Sequence, residues 1–295
     1  MHWEIPSVLC MQTPHNFTLI LISAVTALLL SIYFVQNNLI PDLLNTPLTT
    51  TGNNPSKPAT MAWRCSGRTN AELIANLYKS QLITSDRVRA SMSSVDRAHY
   101  APAAPYEDSP QSIGFAATIS APHMHASAAE SLLPFMPENK GAKVLDVGSG
   151  SGYLTHVLAN LVCGADGKGD GKVVGIDHIA GLTEMSTRNM GKSEEGRRLL
   201  DSGKVEFVTG DGRKGYVEGG PYDAIHVGAA ASELHPVLIE QLKSPGRMFI
   251  PVEDEEDRGM FGSQYIWVVD KDEKGEVKRR RDMGVRYVML TDAPK

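Results

Sequence analysis

The run VLDVGSGSGYL places Gly148, Gly150 and Gly152 directly after the apolar residues Val144 to Val147 and directly before a helical pattern. Glycine permits positive φ and lets a ligand approach the backbone closely. The first amides of the helix that follows are donors without intrahelical partners. The spacing is GxGxG, not the GxGxxG of dinucleotide folds, and no Walker lysine follows, which argues against a phosphate-cradling loop. Asp146 stands two residues before the first glycine, where an acid suits a cationic or amino-bearing ligand better than a pyrophosphate. Asp177 closes the next apolar run (VVGID), a place from which a carboxylate can accept both hydroxyls of a ribose. Asp211 closes the third (FVTGDG), where an adenine would lie. A lone Asp at a strand end is usually a turn residue. Three in order after such a turn, at the carboxyl ends of strands, predict one acidic rim. The ligand that fits is a nucleoside-bearing cofactor with a positive centre, S-adenosylmethionine.

These residues need strands to present them. From Met61 onward, strand and helix patterns alternate: KVLDVG, YLTHVLANLV, KVVGID, AGLTEMSTRNM, KVEFVTGD, YDAIHVGAA, ELHPVLIEQLK and GRMFIPV. QYIWVVDK and GVRYVML read as a closing antiparallel pair. The alternation predicts an α/β fold, a mostly parallel sheet with helices on both faces. Upstream, NAELIANLYKSQLI and TSDRVRASMSSVDRAHY read as two helices, the second capped by Thr84 or Ser85. The stretch from Ala101 is expected to be loop, up to a helix from His125 to about Phe135. Gly164 to Lys172 and the acidic Glu253 to Ser263 read as solvated loops, and the basic run Lys278 to Arg281 as a solvated hairpin tip.

The 295 residues carry a net charge of −5, but unevenly. Residues 1–60 hold only Glu4, Asp42 and Lys57 as formal charges. Within them Phe17 to Val35 is uncharged and long enough, as a helix of about 28 Å, to span a bilayer. Two readings stand: one membrane-spanning anchor, or a segment absent from the working protein through a later start at Met61. Residues 36–60 read as a flexible tether, and residues 61–295 as the folded domain. Three scattered cysteines make no disulfide framework and indicate reduced thiols and a cytoplasmic catalytic domain, with Cys163 a small apolar residue at a helix end. The acidic balance argues against nucleic acid as partner.

Beyond the glycine turn, DSPQSIGFAATISAPHMHA, GIDH, GDGR, PYDAIHVGAAA and the opening MAWRCSGRTNAELIANLYKSQLI together resemble the protein-L-isoaspartate (D-aspartate) O-methyltransferase family, from Met61 to about Asp292. The resemblance implies a class I methyltransferase (Rossmann-like) fold. It implies methyl transfer from S-adenosylmethionine to the α-carboxylate of L-isoaspartyl residues (or the β-carboxylate of D-aspartyl) in damaged proteins, opening their repair. By motif it assigns Ser120 as the catalytic position. For the cofactor it implies Ala117, Thr118, Ile119, Ser120, His125, Asp146, Val147, Gly148, Ser149, Gly150, Asp177, His178, Asp211, Gly212 and Thr291.

A metal is not expected: His123 and His125 form an HxH pair without a third ligand at suitable spacing. A second reading, still an enzyme, is a methyltransferase acting on nucleic acid or a small molecule; no NPPY-like amino-methylating motif is visible, and the acidic balance disfavours nucleic acid. A non-catalytic cofactor-binding module is the reading from a different class, and the intact ATIS segment argues against it. A monomer is expected by default.

Overall fold

The structure, a computed structural model, describes residues 65–137, 140–164, 167–254 and 263–292. The expectations for residues 1–60 lie outside them, as does most of the acidic loop. Among the described residues no helix is long and apolar enough to cross a membrane.

Two helices come first, α1 (Asn70–Lys79) and α2 (Asp86–Ser94). Thr69 caps α1 by accepting from the Glu72 amide, and Leu73, Ile74 and Leu77 form its buried stripe. Ser85 caps α2. Thr84 does not: its amide and hydroxyl bond the carboxylate of Glu130. The second helix also stops earlier than its sequence suggests. Val95 turns extended, and Arg97–His99 form a separate 3-10 turn capped by Asp96.

The stretch read as loop contains a hairpin, β1 (Gln111–Gly114) and β2 (Ala117–Ile119), with Phe115 and Ala116 at φ of 53° and 55° in its turn. Two non-glycine residues in the left-handed region are costly enough to hide this turn from propensity rules. Pro122 then opens α3 (Pro122–Leu132).

The sheet has seven strands: β3 (Lys143–Val147), β4 (Lys172–Asp177), β5 (Val205–Thr209), β6 (Tyr222–Val227), β7 (Leu242–Asp254), β8 (Ser263–Lys271) and β9 (Val277–Val285). Their order is β5-β4-β3-β6-β7-β8-β9. The first five are parallel, and β8 and β9 are antiparallel additions, so the sheet is mixed. The order reverses between β3 and β6, the switch point at which ligands bind in open α/β sheets. Between the strands run α4 (Tyr153–Cys163), α5 (Ala180–Met190), α6 (Glu194–Asp201) and α7 (Pro236–Glu240).

Alternate strand residues feed two apolar clusters. Val144, Val173, Ala224 and Phe249 join one, together with residues of α1 to α6. Leu145, Val174, Ile225 and Met248 join the other, whose only helical member is Leu238 of the five-residue α7. The helical layer expected on both faces is therefore thick on one and thin on the other. Every residue of α4 is buried, including Cys163, whose thiol donates to the Gly171 carbonyl and is pushed up to about 11 by burial.

The last strand is not GVRYVML. Its exposed ladder residues are VKRRRDMGV, and the basic run lies within β9, not at the hairpin tip. A basic edge strand carries no apolar alternation to betray it. Arg281 stacks on Tyr265 and pairs with Asp254 at 2.7 Å. The apolar residues that follow leave the ladder: Val288 and Leu290 bond the backbone of Ala230, drawing the chain across the carboxyl ends of the strands.

Candidate active site

Gly148, Gly150 and Gly152 take φ of 75°, 53° and 84° and turn the chain from β3 into α4. The left-handed Gly150 sends its amide to Asp177 Oδ2 at 3.1 Å, and the Ile179 amide takes Oδ1 at 3.2 Å. The His178 backbone also bonds this carboxylate, and since a carboxylate offers about four acceptor positions, some acceptor capacity remains for a ligand. Burial holds the Asp177 carboxyl above its usual range, against the opposing pull of the Gly150 and Ile179 amides and of His178. His178 stands partly exposed beside it, Nδ1 at 3.6 Å. Across the switch point, Gly228 approaches so closely that a Cβ there would lie 3.0 Å from the Gly148 carbonyl oxygen.

Two cavities meet above this turn. One, of about 250 Å³, is lined by Ala117, Thr118, Gly148, Gly150, Asp177, His178 and Thr291, together with Phe115 and the chain from Val288 to Asp292. The other, of about 590 Å³, is lined by Thr118, Ser120, Asp108, His123 and the chain from Gly284 to Val288. Thr118, Gly228 and Val288 belong to both walls and form the boundary. Ser120 follows β2 directly. Its side chain shares a hydrogen bond with Tyr287, whose phenol burial pushes up to about 12. Its carbonyl accepts from Arg97 at 2.7 Å.

The remaining residues singled out from sequence sit behind these walls. Asp146 is buried, accepts from Thr155 Oγ1 at 2.6 Å, and pairs with His226 Nδ1 at 2.7 Å. Its neighbours Leu145 and Val147 belong to the opposite cluster, so the strand's alternation turns Asp146 toward α4 and away from the rim. Asp211 is held by Arg213 through two bonds of 2.9 Å, which keep its carboxyl below the usual range. Arg213 continues to Asp292. Val147, Ile119 and Gly212 are buried, and Ser149 Oγ is buried without a partner under the turn. His125 is buried against Tyr153 and contacts Arg97 at 3.2 Å. Burial, reinforced by Arg97, holds its imidazole well below the ordinary range.

Asp108, Arg97, the hairpin turn and, apart from Thr291, the strand-leaving chain from Arg286 to Asp292 carried no sequence signal that singled them out. His123 was considered only as half of an HxH pair, and its Nδ1 bonds Asp108 at 2.8 Å. Among the described residues no group of three His, Cys, Asp or Glu is placed to hold a metal ion.

A glycine turn at the switch point, a buried acid at the end of the next strand and two cavities that share a wall fit an S-adenosylmethionine-dependent methyltransferase with a class I-like fold. The comparisons agree. The family model described as Protein-L-isoaspartate(D-aspartate) O-methyltransferase (PCMT) matches residues 68–295. The protein-L-isoaspartate O-methyltransferase of Caenorhabditis elegans is 47% identical over 231 residues, covering 78% of this chain and 96% of the relative. That of Triticum aestivum is 44% identical over 224 residues, covering 75% and 91%. A Plasmodium falciparum beta-aspartate methyltransferase (PCMT), crystallised with S-adenosyl-L-homocysteine, superposes with a TM-score of 0.67 at 31% identity, covering 76% of this chain and 99% of its own. The chain belongs to the protein-L-isoaspartate (D-aspartate) O-methyltransferase family.

Proposed function

We propose that this chain methylates the free α-carboxylate of L-isoaspartyl residues (or the β-carboxylate of D-aspartyl) in damaged proteins, using the cavity at the glycine turn for S-adenosylmethionine and the larger one for the peptide. The ester then closes to a succinimide, whose hydrolysis returns some normal aspartate. The observation that carries this assignment is the shared wall: Thr118 fronts both cavities, and Ser120, two residues on, fronts the larger.

The smaller cavity suits the cofactor. Its floor is backbone without side chains at Gly148 and Gly150, and Asp177 keeps acceptor capacity for a diol. Gly148, Gly150, Asp177, His178 and Thr291 would hold it there. When bound it supplies a methyl group on a sulfonium. An acceptor carboxylate, with a reference pKa of about 3.5–4, is already ionised at neutral pH and needs no general base. The protein's task is alignment, which contributes up to roughly 7–11 kcal/mol. Ser120 would hold one carboxylate oxygen through its hydroxyl, whose rotor Tyr287 fixes, and so orient the other toward Thr118. Asp146, Asp211 and His125 would act on the cofactor only through the backbone they brace.

The test is transfer of radiolabelled methyl to an isoaspartyl peptide and to its normal aspartyl twin. Labelling of the isoaspartyl form alone is expected; equal labelling, or binding of cofactor without transfer, contradicts the assignment. For Phe17 to Val35, the uncharged length supports an anchor, and the family match beginning at residue 68 supports equally a domain that works without it.

A further inference from the structure

Arg97 is fully buried, yet its guanidinium makes no ion pair among the described residues. Its partners are the Ser120 carbonyl, His125 Nδ1 and the face of Tyr153, 5.0 Å away, and its Nε–H is buried without an acceptor. Two acids lie nearby, and neither hydrogen-bonds the guanidinium. Asp96 takes the Ala98 amide and the Tyr106 hydroxyl. Asp108 takes the amide and ring of His123 on Oδ1, keeps a buried Oδ2 with no hydrogen-bond partner among the described residues, and favours the Arg97 charge only through space. Burying a cation against neutral partners is expensive, and a well-packed apolar residue would usually be as stable or more so. Such a charge has a use where an anion arrives. The one arriving here is the acceptor carboxylate at Ser120, one peptide group from the guanidinium.

We propose that Arg97 is a positioning residue for the methyl acceptor: its buried charge, standing behind the Ser120 carbonyl, makes the larger cavity select a carboxylate over the neutral carboxamide. This rests on the functional reading given above. Asp108, which lines the same cavity and bonds His123 through Oδ1, opposes the field, while Arg286 contributes from the exposed side of the wall. Arg97 differs from Arg286 in being sealed from solvent, so its field is little screened by salt.

The experiment measures binding of two peptides to the full chain loaded with S-adenosylhomocysteine. One carries an isoaspartyl residue with a free α-carboxylate, the other the same residue as α-carboxamide, and both have blocked ends. Wild type is expected to prefer the carboxylate by at least about tenfold, since an unscreened charge at this range is worth that much in a protein interior. The preference should survive about 1 M salt, where exposed charges are screened within about 3 Å. Arg97→Met should bring the two peptides within about threefold of each other, with cofactor affinity and Tm unchanged. Arg97→Lys should restore most of the preference. Arg97→Gln, which keeps a donor for the Ser120 carbonyl and drops the charge, replaces the methionine variant should that fail to fold. A wild-type preference erased by salt, a preference intact in the neutral variants, or equal weakening of both peptides with a fallen Tm each overturns the role of Arg97. Absence of any carboxylate preference in wild type overturns the functional reading itself.

Discussion

The proposed function divides the work of the cleft between Ser120 and Asp177. Ser120 fronts the larger cavity and Asp177 the smaller, and no hydrogen bond joins them. Ser120→Ala removes the hydroxyl proposed to orient the acceptor and leaves the glycine turn untouched. Turnover should fall by about 10²-fold, a modest part of what alignment can supply, with cofactor affinity unchanged within experimental scatter. Asp177→Asn is the converse. It replaces an acceptor with an amide donor beside the Gly150 and Ile179 amides, so cofactor affinity falls by at least about tenfold, the loss of one charge-assisted hydrogen bond. Turnover at saturating cofactor should survive. Cofactor titration and initial rates on both variants check the crossed pattern, and parallel losses in either variant contradict the division. Asp177 ends its strand and, though buried, lines the smaller cavity, as the sequence led one to expect. Asp146 and Asp211 have the same type and nearly the same placement, but one is turned inward by strand alternation and the other is captured by Arg213. Neither fact is local to the residue, so single-sequence reasoning could not separate the three.

Among the elements, the glycine turn, the strands β3, β4 and β6 and α4 were legible because burial on both sides writes nearly continuous apolar runs into them. The hairpin β1–β2, β9 and the chain from Arg286 to Asp292 were not. A left-handed Phe-Ala turn, a basic edge and an apolar segment outside any ladder all contradict the usual periodicities. Element packing also sets a pH limit. His156 on α4 shares a 2.6 Å hydrogen bond with Tyr100, next to the 3-10 turn, and burial holds its imidazole at about 4. An unfolded histidine titrates near 6.5. Between those values the unfolded chain binds the extra proton, so stability is complete above pH 6.5 and is lost as pH falls toward 4. The loss approaches about 3 kcal/mol from this residue. His125, depressed by burial and Arg97, acts in the same direction. His156→Gln should therefore start with a lower Tm at pH 7 and lose less of it on acidification than wild type. Parallel Tm curves for the two proteins would show that α4 packing is not what His156 ionisation disrupts.

At the scale of the whole molecule, both cavities are walled by residues between Asp108 and Asp292, and the supporting helices begin at Asn70. Residues 1–60 lie outside the described residues, and their three formal charges and uncharged run from Phe17 to Val35 set them apart in composition. A chain starting at Met61 should match the full chain in kcat/KM for an isoaspartyl peptide and in cofactor affinity, within about twofold, since the family match covers residues 68–295 and a segment that adds no transition-state binding can be removed without loss. Membrane fractionation of cells expressing each form then isolates what residues 17–35 do. An anchor would place the full chain with membranes and the shorter chain in the supernatant at equal specific activity. A drop of tenfold or more in kcat/KM for the shorter chain would mean that the first sixty residues take part in the cleft, contrary to the wall the folded part builds for itself.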